Sequence, residues 1–335
     1  MSLKTQRLIG KAKKCLKNGN FDEAEKIYKG ILKEFPDNVE DQQELEKIPK
    51  NSPKINPSKP QLDSVIRLYT LAQYDEALRS AKSLINDYPT EPSLLNICGA
   101  CYVAKGAFDD AINNFQKAIE LMPDYAAVHY NLGGAYRATG QRKLSIDCYQ
   151  KAIELNHAYP DAHNNLGLMF LEDRELKSAT EHFEWAIAYN ANFAEAHNNL
   201  GATLQELNRI DDCILSFEKA TQLNSNYALA YNNLGIANQV IGQIDLAIIN
   251  FEKAISIDKT YASAYHNLSL LKIYKKQDPQ IAEMKQLLAR KNSSDMEKTL
   301  ICFALANVNE DIGDQKEMFK FLKMGNQLRR NLLEY

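Results

Sequence analysis

The sequence predicts an all-α fold, a solenoid built from stacked helical repeats, and three observations carry that prediction. Five registers of residues recur together at a spacing of 34 positions, the mark of a repeat array. Glycine is scarce, 14 of 335 residues, too few for the glycine-rich turns of a nucleotide-binding α/β enzyme. No stretch approaches the roughly 18 consecutive apolar residues that span a bilayer.

Along the chain, residues 1–38 come first. Met1 to Cys15 is basic but has no apolar run of signal-peptide length. Lys4, Arg7, Lys11, Lys13, Lys14 and Lys17 stand beside Leu8, Ala12, Cys15 and Leu16, a basic amphipathic helix expected to cap one end with a solvated face. Residues 39–60, with Pro49, Pro53, Pro57 and Pro60 among Asn, Ser and Lys, read as a flexible linker.

Residues 61–275 carry the period. Leu-Gly recurs at Leu132-Gly133, Leu166-Gly167, Leu200-Gly201 and Leu234-Gly235, preceded by Cys98-Gly99 and followed by Leu268-Ser269. The other registers are Ala111, Ser145, Ala179, Cys213, Ala247; Phe115, Tyr149, Phe183, Phe217, Phe251; the alanines from Ala118 to Ala254; and Tyr125, Tyr159, Phe193, Tyr227, Tyr261. Glycine inside a helix costs about 1 kcal/mol relative to alanine, so its recurrence needs a packing reason, and close approach of two helices supplies it. The Ala111 series is the matching small residue, and the Phe115 series fills the gap between neighbouring units. Trp185 and the tyrosines read as core by periodicity. Residues 276–335 read as degenerate helices of the same kind, with Gly313 at a turn.

These registers resemble the tetratricopeptide repeat family. The resemblance implies units of two antiparallel helices in a right-handed superhelix, full units starting at Pro92, Ala126, Pro160, Ala194 and Ala228. Degenerate units near 5–38, 58–91, from Ala262 and near 299–332 bring the array to about nine.

With units numbered this way, position six reads Asn131, Asn165, Asn199, Asn233 and Asn267, and position five adds Asn164, Asn198 and Asn232. Position six points away from the partner helix. An amide both donates and accepts, so such a row can pair with the backbone of an extended peptide whatever its side chains; alternatively the amides tie neighbouring units together. The row resembles the asparagine ladder in the repeats of O-linked N-acetylglucosamine transferase, which implies a hold on substrate polypeptides. Other inner positions are acidic or neutral: Asp161, Glu172, Glu195, Gln205, Glu206 and Gln239. The Lys/Arg clamp with which chaperone-binding members of the family grip a C-terminal carboxylate has no counterpart, and a neutral or basic ligand is favoured.

Other chemistry is weakly represented. Neither a nucleophile elbow, a phosphate loop nor a zinc-hydrolase His-Glu pair occurs. Cys98-x-x-Cys101 lacks a second ligand pair at zinc spacing and reads as two small apolar residues in a helix. His129, His163 and His197 recur one unit apart and read as packing residues rather than metal ligands. With 40 Lys+Arg against 43 Asp+Glu there is no whole-chain footprint for nucleic acid. The segments Gln61–Ile66, Tyr74–Leu78 and Tyr88-Pro89 with Phe303–Ala306, Glu310–Asp314, Gly325-Asn326 and Arg329-Arg330 are similar to the repeat region of bacterial tetratricopeptide–sulfotransferase fusions. The donor-binding loop of that transferase is not among these residues, so the resemblance implies no activity here. The expectation is a cytoplasmic, non-catalytic scaffold for a protein or peptide, with no cofactor, metal, nucleic acid or membrane partner. The alternative is the substrate-recruiting arm of a sulfotransferase or O-GlcNAc-type glycosyltransferase.

Overall fold

The computed structural model describes residues 3–17, 21–36, 38–48 and 56–333. Among them it holds nineteen α-helices and no strand, as an all-α repeat solenoid requires. They fall into two compact units, Met1–His157 and Ala158–Tyr335.

The first unit contains α1 (Leu3–Lys17), α2 (Phe21–Glu34), α3 (Val39–Glu46), α4 (Lys59–Thr70), α5 (Tyr74–Asp87), α6 (Pro92–Ala104), α7 (Phe108–Leu121), α8 (Ala126–Ala138) and α9 (Arg142–Leu155). Neighbours pair as α1/α2, α4/α5, α6/α7 and α8/α9, and the pairs stack through α5/α6 and α7/α8. On α1, Ala12 is buried while Arg7, Lys11, Lys13, Lys14 and Lys17 are exposed, and Lys11 reaches Glu23 at 3.0 Å.

Within the stretch 39–60, Val39–Glu46 and the start of α4 at Lys59 are helical. Asn38 caps α3 by accepting from the Asp41 backbone N–H, and Glu40 and Asp41 place negative charge on the first turn, where it is favoured. Pro60 does not interrupt α4, because it sits in the first turn, whose N–H groups have no helical acceptor. Pro49 and Pro53 lie outside the described residues.

The second unit contains α10 (Pro160–Glu172), α11 (Leu176–Tyr189), α12 (Ala194–Glu206), α13 (Ile210–Leu223), α14 (Ala228–Val240), α15 (Ile244–Ile257), α16 (Ala262–Ser269), α17 (Pro279–Ala289), α18 (Asp295–Asp311) and α19 (Gln315–Leu333). Three regular pairs, α10/α11, α12/α13 and α14/α15, stack in order.

The repeated glycine explains the regular pair. A Cβ at Gly133, Gly167, Gly201 or Gly235 would stand 2.6–2.8 Å from the ring of Tyr149, Phe183, Phe217 or Phe251. The aromatic therefore rests on the glycine of its own repeat, and only then reaches the next: Phe115 also clusters with Val128 and Leu132 of the following helix. Where the small-residue register has Ser145, its hydroxyl donates to the Gly133 carbonyl at 2.8 Å, so the buried polar atom has a partner. The turn inside each pair is equally regular, with left-handed backbone at Ala72, Gly106, Gly140, Arg174, Asn208, Gly242 and Gly313.

The repeat from Ala262 breaks this pattern. Ser269 and Lys285 occupy the glycine and aromatic places, so the crossing cannot form. α16 stops after 8 residues where α14 runs 13. The chain instead buries Tyr274, whose backbone N–H donates to Asp311 at 2.9 Å, and α18 packs directly on α16. Trp185 also departs from expectation. It is 52% exposed, because its register carries Lys117, Lys151, Lys219 and Lys253 in the other repeats, a solvent-facing place.

Candidate functional site

The asparagine registers are joined by a ladder of amide–amide hydrogen bonds. In the first unit the Asn131 side chain donates to Asn96 Oδ1 at 2.9 Å. In the second, Asn199 donates to Asn164, Asn233 to Asn198 and Asn267 to Asn232, each at 3.0 Å. The geometry is the same each time: a position-six Nδ2 reaches back 35 residues to a position-five Oδ1 in the preceding repeat. Helical spacing produces this, since positions five and six straddle the edge where one first helix meets the next. α10, α12, α14 and α16 touch one another along that edge.

The two registers have different fates. Asn164, Asn198 and Asn232 are buried, and their amides are committed to the ladder. Asn198 also donates to Asn199 at 3.5 Å, and Asn164 to Glu195 at 3.4 Å. Asn131, Asn165, Asn199, Asn233 and Asn267 remain partly exposed at the surface of the first helices. A primary amide carries two N–H groups and an oxygen with two lone pairs, so the ladder bond made by Asn131, Asn199, Asn233 or Asn267 leaves further capacity on that amide. Asn96 escapes a search by position six because its own repeat has Ile97 there; a search for Asn pairs 35 residues apart finds it. The ladder motif extends into the irregular end, where Asn307 donates to Ser269 at 3.1 Å.

The surface around these amides changes along the second unit. The only Asp, Glu, Lys or Arg residues of α10 are Asp161 and Glu172, and those of α12 are Glu195 and Glu206. α14 and α16 carry none. Leu229 and Val240 of α14 and Leu270, the residue that follows α16, are 42%, 58% and 55% exposed.

The three recurring histidines do not converge. His129 Nε2 bonds the Pro123 carbonyl at 2.9 Å and His197 Nε2 the Ala191 carbonyl at 3.2 Å, each closing the turn before its own helix. His163 is buried, with Nδ1 3.0 Å from His182 Nδ1. Phe170 stacks on His182, and Trp185 stacks on Tyr189 beside the pair. Burial, and then the neighbouring His163, push His182 down to about 4. Two imidazoles at this distance share one hydrogen bond only if at least one is neutral. Cys98 and Cys101 are fully buried, and burial pushes both thiols up to about 11, away from the thiolate that redox or metal chemistry needs. Among the described residues no three His, Cys, Asp or Glu side chains gather as metal ligands, and no helix is long and apolar enough to cross a membrane.

Residues 99–140 and 133–173 match the family model of the TPR repeat, and residues 194–227 and 228–261 that of the tetratricopeptide repeat. No curated protein matches the chain. Among solved structures, the APC/C hetero-tetramer Cut9–Hcn1 is similar over 89% of this chain and 55% of that one, at 18% identity and a TM-score of 0.58. The C-terminal part of a TPR repeat-containing protein from Cytophaga hutchinsonii is similar over 78% of this chain and 99% of that one, at 17% identity and a TM-score of 0.52. MamA is 27% identical over 49% of this chain and 96% of its own, with a TM-score of 0.45. The first two likenesses concern the fold alone; the family match rests on the residues matched. Residues 99–173 and 194–261 are tetratricopeptide repeats, set in an all-α solenoid.

Proposed function

We propose that the chain is a non-catalytic, cytoplasmic scaffold that holds an extended polypeptide along the first-helix face of its repeats. The observation that carries this reading is the partial exposure of the position-six amides. One N–H of Asn131, Asn199, Asn233 and Asn267 is committed to the ladder, Asn199 also accepts from Asn198, and the amide capacity beyond these bonds is open to a ligand. Spaced by one repeat, such groups meet a peptide backbone every few residues without selecting its side chains, since first helices lie about 8–10 Å apart and an extended chain advances about 3.3 Å per residue. Specificity then comes from the residues between the amides.

The test uses Asn165→Ala, Asn199→Ala and Asn233→Ala together, with fluorescein-labelled peptides of random sequence and circular dichroism on the same samples. The triple variant is expected to stay helical, melt earlier because buried position-five carbonyls lose their donors, and bind the peptide pool more weakly. Unchanged binding by a helical variant would falsify the reading and leave the asparagines as structural ties.

The second reading, the substrate-recruiting arm of a sulfotransferase or glycosyltransferase, has the C-terminal sequence similarity as its support. It uses the same face and differs in what is joined to it. The mass of the natural gene product separates the two, a longer product with a phosphate-binding loop favouring the arm.

A further inference from the structure

We infer that the ligand of the second unit is bipartite: a segment carrying Lys or Arg lies over α10 and α12, and an apolar segment lies over α14 and α16. The inference rests on the reading of this face as a peptide-binding surface and adds the chemistry of the peptide.

Asp161 stands four residues before Asn165, and Glu195 four before Asn199, with Glu206 seven beyond it. These carboxylates therefore share a face with the position-six amides. On α14 the same offsets give Leu229 and Val240 around Asn233, and at the C-terminal end of α16 the capping residue Leu270 lies three residues beyond Asn267. The ladder fixes the order of the stripes, since Asn199, Asn233 and Asn267 each bond the helix before them. A ligand following the amides crosses two acidic helices and then two without formal charge.

Both halves are unusual for surfaces that meet only water. Neither α10 nor α12 carries a Lys or Arg. Arg174, just beyond α10, bridges Glu206, but at 79% exposure of the arginine the bridge is weak and open to exchange with a ligand cation. Glu195 accepts from Asn164 through one oxygen, and a carboxylate has capacity for more. Solvent-facing positions of helices are ordinarily polar, whereas α14 presents exposed Leu229 and Val240 with no charge along 13 residues. Apolar side chains of a peptide placed there leave water, and its cations meet carboxylates one or two repeats away. Reversed charge in the peptide would set like charges against Glu195 and Glu206.

The experiment measures fluorescence anisotropy with three labelled peptides that share a Leu-Ile-Val end and differ at the other, which is Lys-Arg-Lys, Gln-Gln-Gln or Glu-Glu-Glu. With the unaltered protein at about 50 mM salt, the cationic peptide is expected to bind about tenfold or more tighter than the acidic one, the gap closing at about 0.5 M salt as screening sets in. Glu195→Lys with Glu206→Lys is expected to reverse the order of cationic and acidic peptides. Leu229→Ser with Val240→Ser is expected to weaken all three about tenfold. Equal binding of the three peptides, with the Asn199→Ala and Asn233→Ala loss still present, overturns the bipartite ligand and leaves the peptide-binding face standing. Absence of all binding, or binding that ignores the asparagines, overturns both. The peptide series is read on the unaltered chain, so a misfolded variant does not blur the outcome.

Discussion

At the scale of single residues, the repeat is governed by whether a glycine has a ring above it. Gly201→Ala gains up to about 1 kcal/mol of helix propensity, but its new methyl meets the buried Phe217 ring at 2.7 Å, and such overpacking costs about 1–3 kcal/mol. The clash wins, and thermal unfolding of the variant should come earlier, with partial recovery in Gly201→Ala/Phe217→Leu. Gly30 lies in the interior of α2, and a methyl added there meets nothing within 4 Å, so Gly30→Ala should have the opposite sign and stabilise by up to about 1 kcal/mol. The same scale holds a pH response. The folded protein binds a proton at His182 only near pH 4, whereas the unfolded chain binds it near the ordinary value of 6.5. The unfolded state therefore holds more protons across that window, and stability falls as pH drops from about 6.5 toward about 4. Trp185 is the only tryptophan, its ring centre 6.4 Å from that of His163, so a quench of its emission over the acid end of this window reports the charging of the histidine pair. Replacing both rings, His163→Phe with His182→Phe, should remove the quench.

At the scale of the helix pair, the left-handed residue in the turn is the controlling feature. Glycine fills it at Gly106, Gly140 and Gly242, but Ala72 and Arg174 hold φ of 57° and 63° there. A side chain in that conformation costs about 1 kcal/mol or somewhat more, so Ala72→Gly and Arg174→Gly should each raise the unfolding midpoint; an unchanged or lower midpoint in calorimetry would count against the account. The regular pairs are legible in the sequence because Gly, small residue and aromatic repeat at one period, and each answers to a single packing contact. The irregular end is less legible. Its helix from Ala262 is cut short by contacts with Asp311 and α18, far along the chain, and periodicity carries no information about such partners. Trp185 misleads for a related reason: its bulk suggests core, while its register, lysine in four sister repeats, points to solvent. Of the candidate site, the asparagine rows are visible from spacing, but which row is buried is not. Burial of Asn164, Asn198 and Asn232 is set by how closely successive first helices approach, a distance that sequence alone does not give.

At the scale of the whole molecule, the repeats inside each compact unit depend on their neighbours for stability, as stacked repeats do. The end of the second unit is sealed by α18 and α19: Ile301, Leu305 and Phe321 share one cluster with Tyr265, Leu268 and Tyr274. Truncation after Gln277 should therefore expose that cluster, lower the melting temperature, and increase binding of a hydrophobic dye, while circular dichroism retains helix from the earlier pairs. The ladder bond has a further consequence for how such a chain can grow. Each asparagine-to-asparagine bond reaches an acceptor 35 positions earlier, one period plus one residue. A block of 34 residues duplicated or excised within residues 166–261 therefore leaves each new neighbour facing a complete donor–acceptor pair. A block one residue longer or shorter rotates the next helix and strands a buried amide oxygen. Recombination within the array is thus quantised by a hydrogen bond, and lineages of this protein are expected to differ by whole repeats.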